Sequence, residues 1–146
     1  MKSQILALVA ACALLGPTGA AAAPVDAGEP RLFAGGGTNL TNGFFFPGTT
    51  FYDSEKKEFT LVGPPVQVEQ GGSIEFVNLD TAAVTNSHRI RSVKLRKNGR
   101  PLFQTGLVDG PDTATLSIKR VKPGSYIYLC TTHAGMFGTI EVTRKS

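Results

Sequence analysis

The sequence predicts an all-β chain folded as a sandwich, and three observations carry that prediction. Short apolar segments alternate inside and outside with a period of two, as side chains do along a strand. Turn signals separate them at Gly71-Gly72, Asn98-Gly99 and Pro123-Gly124. No stretch of the region they occupy, residues 44 to 146, sustains a helical period.

The elements follow in chain order. Residues 1 to 23 read as a secretory signal peptide: Lys2, an apolar run from Ile5 to Leu15, and a cleavage site of small residues ending at Ala23. The run is too short to span a bilayer. A lipid-attachment site at Val9-Ala10-Ala11-Cys12 is the rival reading. It leaves an alanine-rich stretch unexplained in the mature chain. Residues 24 to 43, rich in Gly, Ala, Pro, Asn and Thr, read as a flexible leader. They include Asn39-Leu40-Thr41, a short glycan-acceptor pattern that often arises by chance.

Residues 44 to 146 read as the folded domain. Phe44 to Leu61 supplies extra core or an added edge strand. Val66 and Val68 face inward, Gly71-Gly72 turns the chain, and Ile74, Phe76 and Asn78 share the next inward face. His88 and Ile90 continue inward, and Val93 and Leu95 follow one residue out of phase, which predicts a bulge near Arg91. Thr113 to Val121 alternates again through Ala114, Leu116 and Ile118. Tyr126, Tyr128 and Cys130 fall on one side of a strand, and Gly138, Ile140 and Val142 point inward from the last.

Subtraction then isolates the chemistry. Losing residues 1 to 23 removes Met1 and Cys12, so the mature chain keeps one cysteine, Cys130, one methionine, Met136, and two histidines, His88 and His133. No internal disulfide can form, although exported proteins rarely keep an idle thiol. Three of these residues sit at steps of three in Cys130-Thr131-Thr132-His133-Ala134-Gly135-Met136, where one short loop can aim all three donors at a point. His88 arrives from another strand. Taken singly, a Cys or Met is most often core filler and a His a surface residue. Those explanations do not account for all four gathering in one loop and one facing strand.

Two imidazoles and a thiolate with a weak thioether suit one copper ion in a trigonal blue-copper site. Structural zinc prefers four Cys or His ligands, and only three exist here. Iron–sulfur clusters need more thiolates, and covalent haem attachment needs two cysteines.

The stretch from Tyr126 to Ile140 resembles the C-terminal copper loop of the cupredoxin family, in its plastocyanin, pseudoazurin and amicyanin group. The two-residue gap between His133 and Met136 is similar to that of amicyanin. Val66 to Asp80 also resembles the family's strand, turn and strand ahead of the first histidine. The resemblance implies a Greek-key β-sandwich, a type 1 copper held by His88, Cys130, His133 and Met136, and one-electron transfer without catalysis. It implies that the His133 ring edge is exposed beside Ala134, Gly135 and Phe137, where a partner docks. One departure stands out, because family members commonly follow the first histidine with an asparagine that ties the two ligand loops, and here that position is Arg89. Asn86 is a candidate substitute.

The implied partner is a redox protein such as a c-type cytochrome, a dehydrogenase or an oxidase, met by a monomer in the periplasm or outside the cell. Neither nucleic acid nor membrane insertion is implied. The chain's formal charge is +4, one unit of it from Lys2. No acid lies between Asp80 and Asp109, whereas Arg89, Arg91, Lys94, Arg96, Lys97 and Arg100 do. This is a solvated face or a patch that steers an acidic partner. Two other functions compete: a periplasmic copper carrier or scavenger on the same fold, and a copper enzyme. The enzyme would need further histidines for a catalytic copper.

Overall fold

The alternation of apolar and polar side chains is realised as ten strands in two facing sheets, in a computed structural model that describes residues 29–35, 43–80 and 87–146. The signal-peptide segment, Asn39 and Asn86 lie outside the described residues. The strands are β1 (Arg31–Gly35), β2 (Phe44–Phe46), β3 (Thr49–Asp53), β4 (Glu58–Leu61), β5 (Val66–Glu69), β6 (Ser73–Asn78), β7 (Ile90–Ser92), β8 (Thr113–Ser117), β9 (Gly124–Cys130) and β10 (Phe137–Thr143). One sheet has the order β2-β1-β6-β8 and the other β4-β3-β10-β9-β7. β5 joins the second sheet by running parallel to β10 from Ile140 to Thr143, past the point where β3 pairs with Phe137 and Gly138. The architecture is a Greek-key β-sandwich.

Between the sheets lies one core. Leu32, Phe45, Ile74, Phe76 and Leu116 enter from the first sheet, and Val66, Val68, Ile90, Tyr128, Ile140 and Val142 from the second. Phe45 packs edge-on against Tyr128, with ring centroids 4.8 Å apart, and against Phe76 at 6.5 Å. Tyr128 fits only because Gly138 stands opposite it: a Cβ at 138 would collide with the phenol. The expected inward residues of β5, β6, β8, β9 and β10 are found facing inward, and the Asn98-Gly99 turn closes with the Arg96 amide donating to the Arg100 carbonyl at 2.7 Å.

Two expectations are corrected. Residues 31–35, read as part of a flexible leader, form β1, paired in parallel with β6 and antiparallel with β2. Leu32 and Ala34 are buried in the core, so an alternating segment too short to stand out in Gly- and Pro-rich surroundings gains its order from a distant partner. Val93 and Leu95 are exposed, and the inward phase runs unbroken through His88, Ile90 and Ser92. Ser92 takes the buried place because its hydroxyl donates to the Lys94 carbonyl and accepts the Leu102 amide, both at 2.8 Å. A buried hydroxyl with two partners costs little.

The segment from Phe44 to Leu61 proves to be both extra core and added edge. Phe45 is fully buried, β2 ends the first sheet, and the β3–β4 hairpin ends the second. Tyr52 and Phe59 of that hairpin stack with Phe137, at centroid separations of 6.2 and 5.2 Å.

Candidate metal centre

β9 and β10 frame the centre. β9 delivers Cys130 inward at its last residue, and the Cys130 amide donates to the Met136 carbonyl at 3.0 Å. The loop between them must therefore curl over the end of the sandwich. β7 pairs with β9 so that Ile90 stands opposite Cys130, which puts His88 one inward step further along the same edge. The His88 backbone is pinned there by paired amide–carbonyl bonds with Val108, each 2.9 Å.

This brings the two histidines and the cysteine together. His88 Nδ1 lies 3.5 Å from Cys130 Sγ and His133 Nδ1 lies 3.4 Å from it. The three ligand atoms are all within 4.8 Å of one another. His88, Cys130 and His133 are 0%, 4% and 3% exposed, so the donors face one another and not water. Met136 is also buried, and its thioether and the His88 ring converge on Gly43: a Cβ built on that glycine would lie 2.9 Å from the sulfur and 3.6 Å from His88 Cε1.

Electrostatics favour a thiolate. Burial alone pushes the Cys130 thiol up, but hydrogen bonding with His88, Thr132, His133 and the Arg89 amide outweighs it and lowers its pKa to about 6. Burial pulls the His88 imidazole down, yet the hydrogen bonds and charges of Cys130 and Asp80 leave it above its ordinary value. His88 Nε2 donates to Asp80 Oδ2 at 2.8 Å, which fixes the tautomer whose Nδ1 faces the sulfur.

Asp80 and Thr132 were not singled out from the sequence. The signal for Asp80 was present, since Ile74, Phe76, Asn78 and Asp80 continue one alternation inward. Thr132 offered none; its role depends on how the loop curls. Its hydroxyl donates to the Ser87 carbonyl at 2.6 Å and lies 3.0 Å from Cys130 Sγ.

Comparison with known proteins gives the frame for this geometry. No family model and no curated protein matches the sequence. Solved structures do. A copper-containing nitrite reductase from Thermus scotoductus SA-01 superposes with a TM-score of 0.53 at 20% identity, covering 81% of this chain and 23% of that one. A purple cupredoxin from Nitrosopumilus maritimus superposes with a TM-score of 0.52 at 19% identity, covering 79% of this chain and 100% of its own length. An oxidised amicyanin variant gives 0.50 at 17% identity over 84% of this chain and 89% of that one.

This is the cupredoxin fold.

The chain thus spans less than a quarter of the nitrite reductase but matches the whole length of a single-domain cupredoxin. The donor set fits one copper ion, with two imidazole nitrogens and one thiolate in reach of a common point. Two features differ from the cupredoxin expectations. The ligand segments are tied without an asparagine at position 89: the Thr131 amide donates to the Arg89 carbonyl at 3.0 Å, and Thr132 reaches back to Ser87. The suggested substitute, Asn86, lies outside the described residues. The His133 ring is buried, not edge-exposed, because it tilts inward onto His88 with ring centroids 4.4 Å apart. The loop surface is instead formed by Thr131, Thr132, Ala134 and Gly135.

Proposed function

We propose that this chain is an exported blue-copper protein that carries one electron at a time between redox proteins, its single type 1 copper held by His88, Cys130, His133 and Met136. The observation that carries this reading is the pair of imidazole nitrogens 3.4 and 3.5 Å from one buried sulfur whose pKa is lowered to about 6. When bound, copper supplies the Cu(II)/Cu(I) couple. The protein's part is to hold the donors in nearly one arrangement for both states. Asp80 fixes His88, paired strands fix Cys130, and the Arg89 amide's hydrogen bond to the sulfur tempers its electron donation.

Burial of the donors favours an electron carrier over a protein that hands copper on, since release would require opening the end of the sandwich. Both histidines of the chain are already in the centre, which leaves none for a second, catalytic copper. No helix among the described residues is long and apolar enough to cross a membrane. Export rests on the N-terminal segment, and the periplasm is the compartment proposed.

The partner docks over the loop surface of Thr131, Thr132, Ala134 and Gly135, beside the aromatic group of Phe137, Tyr52 and Phe59. The basic segment is spread along the flank. Arg89 and Arg91 are exposed near Cys130, whereas Arg96 and Arg100 join Arg120 around a cleft of about 350 Å³ further along. An acidic partner would be drawn by the whole flank and seated by Arg89 and Arg91.

The test is to load the mature protein with Cu(II) and record its visible spectrum. An intense thiolate-to-copper band near ~600 nm is expected of a short Cu–S bond. Fast, salt-sensitive electron exchange with a c-type cytochrome, with copper retained against a Cu(I) chelator, separates electron transfer from copper carriage. No band, or ready loss of Cu(I), overturns the proposal.

A further inference from the structure

Gly43 is the residue that leads into β2, and the Met136 thioether rests against it. An ideal Cβ built there would lie 2.9 Å from Met136 Sδ and 3.5 Å from its methyl carbon, closer at the sulfur than such atoms come. The backbone at Gly43 does not lie in the left-handed region, so an alanine meets no conformational penalty of its own. The chain cannot easily back away. Two residues on, Phe45 is fully buried against Tyr128 and Phe76, and β2 is paired with β1 at Phe44, Phe45 and Phe46. Met136 has the softer position, an unbranched side chain with several rotatable bonds. Between a clamped backbone and a flexible thioether, the thioether yields.

Building on the copper reading above, we propose that Gly43 is a positioning residue for the Met136 donor: its missing side chain leaves the space beside the His88 ring in which the thioether sits. One wall of the thioether's space thus comes from the chain ahead of β2, outside the copper loop. A side chain at 43 would displace the Met136 thioether and touch the His88 ring, whose Cε1 lies 3.6 Å from the same point. Axial strength is one of the controls on a blue-copper centre, so residue 43 becomes a place where potential and colour are adjusted without changing a ligand.

The experiment compares wild type, Gly43→Ala, Met136→Ala and the double variant, with Gly106→Ala as control, since a Cβ at 106 meets nothing within 4 Å. In metal-free protein labelled at the methionine methyl carbon, Gly43→Ala is expected to move the Met136 methyl resonance and Gly106→Ala to leave it in place. In Cu(II)-loaded protein, Gly43→Ala is expected to change the ratio of the ~450 and ~600 nm bands and to shift the electron-exchange equilibrium with a reference dye by about threefold or more. Gly106→Ala should change neither. In the Met136→Ala background the Gly43→Ala effect is expected to vanish, because nothing remains for the Cβ to push. An unmoved methyl resonance overturns the proposal, as does an effect that persists undiminished without Met136. If wild type shows no blue band, the copper reading fails on its own and the methyl shift alone decides whether Gly43 holds Met136.

Discussion

The two histidines of the centre make nearly equal approaches to the same sulfur but are held in different ways. His88 is wholly buried, its backbone bonded to Val108 on both sides and its Nε2 anchored on Asp80. His133 is carried by a loop whose Thr131, Thr132, Ala134 and Gly135 are exposed, and its Nε2 has no hydrogen-bond partner among the described residues. One imidazole belongs to the scaffold and the other to the loop that covers it.

The largest expected difference lies between replacing the two rings. Cu(II)-loaded His133→Gly should regain its intense visible band on adding imidazole, because its vacancy opens beneath an exposed loop. His88→Gly should need at least about tenfold more imidazole, since that vacancy lies between packed sheets. Titrations of the band with imidazole check this, and equal requirements would refute the division into scaffold and cover.

Next in size is Asp80→Asn. Losing the charged partner of a ligating histidine typically costs 10–100-fold in metal affinity, and about that loss of copper affinity is expected here by competition with a chelator. The band should persist at saturation, since no ligand is removed.

A third expectation concerns protons. In metal-free protein the thiolate absorbance near ~240 nm should appear with a midpoint at about pH 6, against 9.0 for an ordinary thiol. The sign follows from which state holds the proton. Between pH 6 and 9 the unfolded chain keeps the thiol proton and the folded chain does not, so this group's contribution to stability is full above pH 9, shrinks as the pH falls, and is lost below about 6. His88, raised in the fold, works the other way: its contribution is full below its unfolded value of 6.5 and is lost as pH rises through its folded value. Chemical denaturation of the metal-free protein across this range should therefore show Cys130→Ala losing the thiol's rising limb.

The smallest effect is expected of Thr132→Val, which removes a hydroxyl from the sulfur and the tie to Ser87. The thiolate midpoint should rise above that of wild type by several tenths of a pH unit, about what one modest hydrogen bond supplies. Thr132→Ser should restore it.

How much of this could be read in the chain itself depends on where the information lies. Cys130, His133 and Met136 declare themselves because three soft donors occupy one loop, and His88 follows because it is the remaining histidine on an inward phase. The faces of β5, β6 and β10 are equally readable, since alternation is local. β1 is not, because Arg31–Gly35 earns its place only by pairing with β6 more than forty residues on. Val93 and Leu95 mislead for the opposite reason: their apolarity suggests burial, but Ser92 satisfies more hydrogen-bonding groups in that place than either could. Gly43 and Thr132 act through contacts, with Met136 and with Ser87, that exist only once distant segments of the chain meet.

β10 is the strand on which β3, β5 and β9 all lean, and it follows His88, Cys130, His133 and Met136 in the chain. Until that last strand is made and paired, the thiol of Cys130 and the imidazoles of His88 and His133 have no completed sheet to hold them within reach of one another, so the centre is among the last parts of the molecule to take shape.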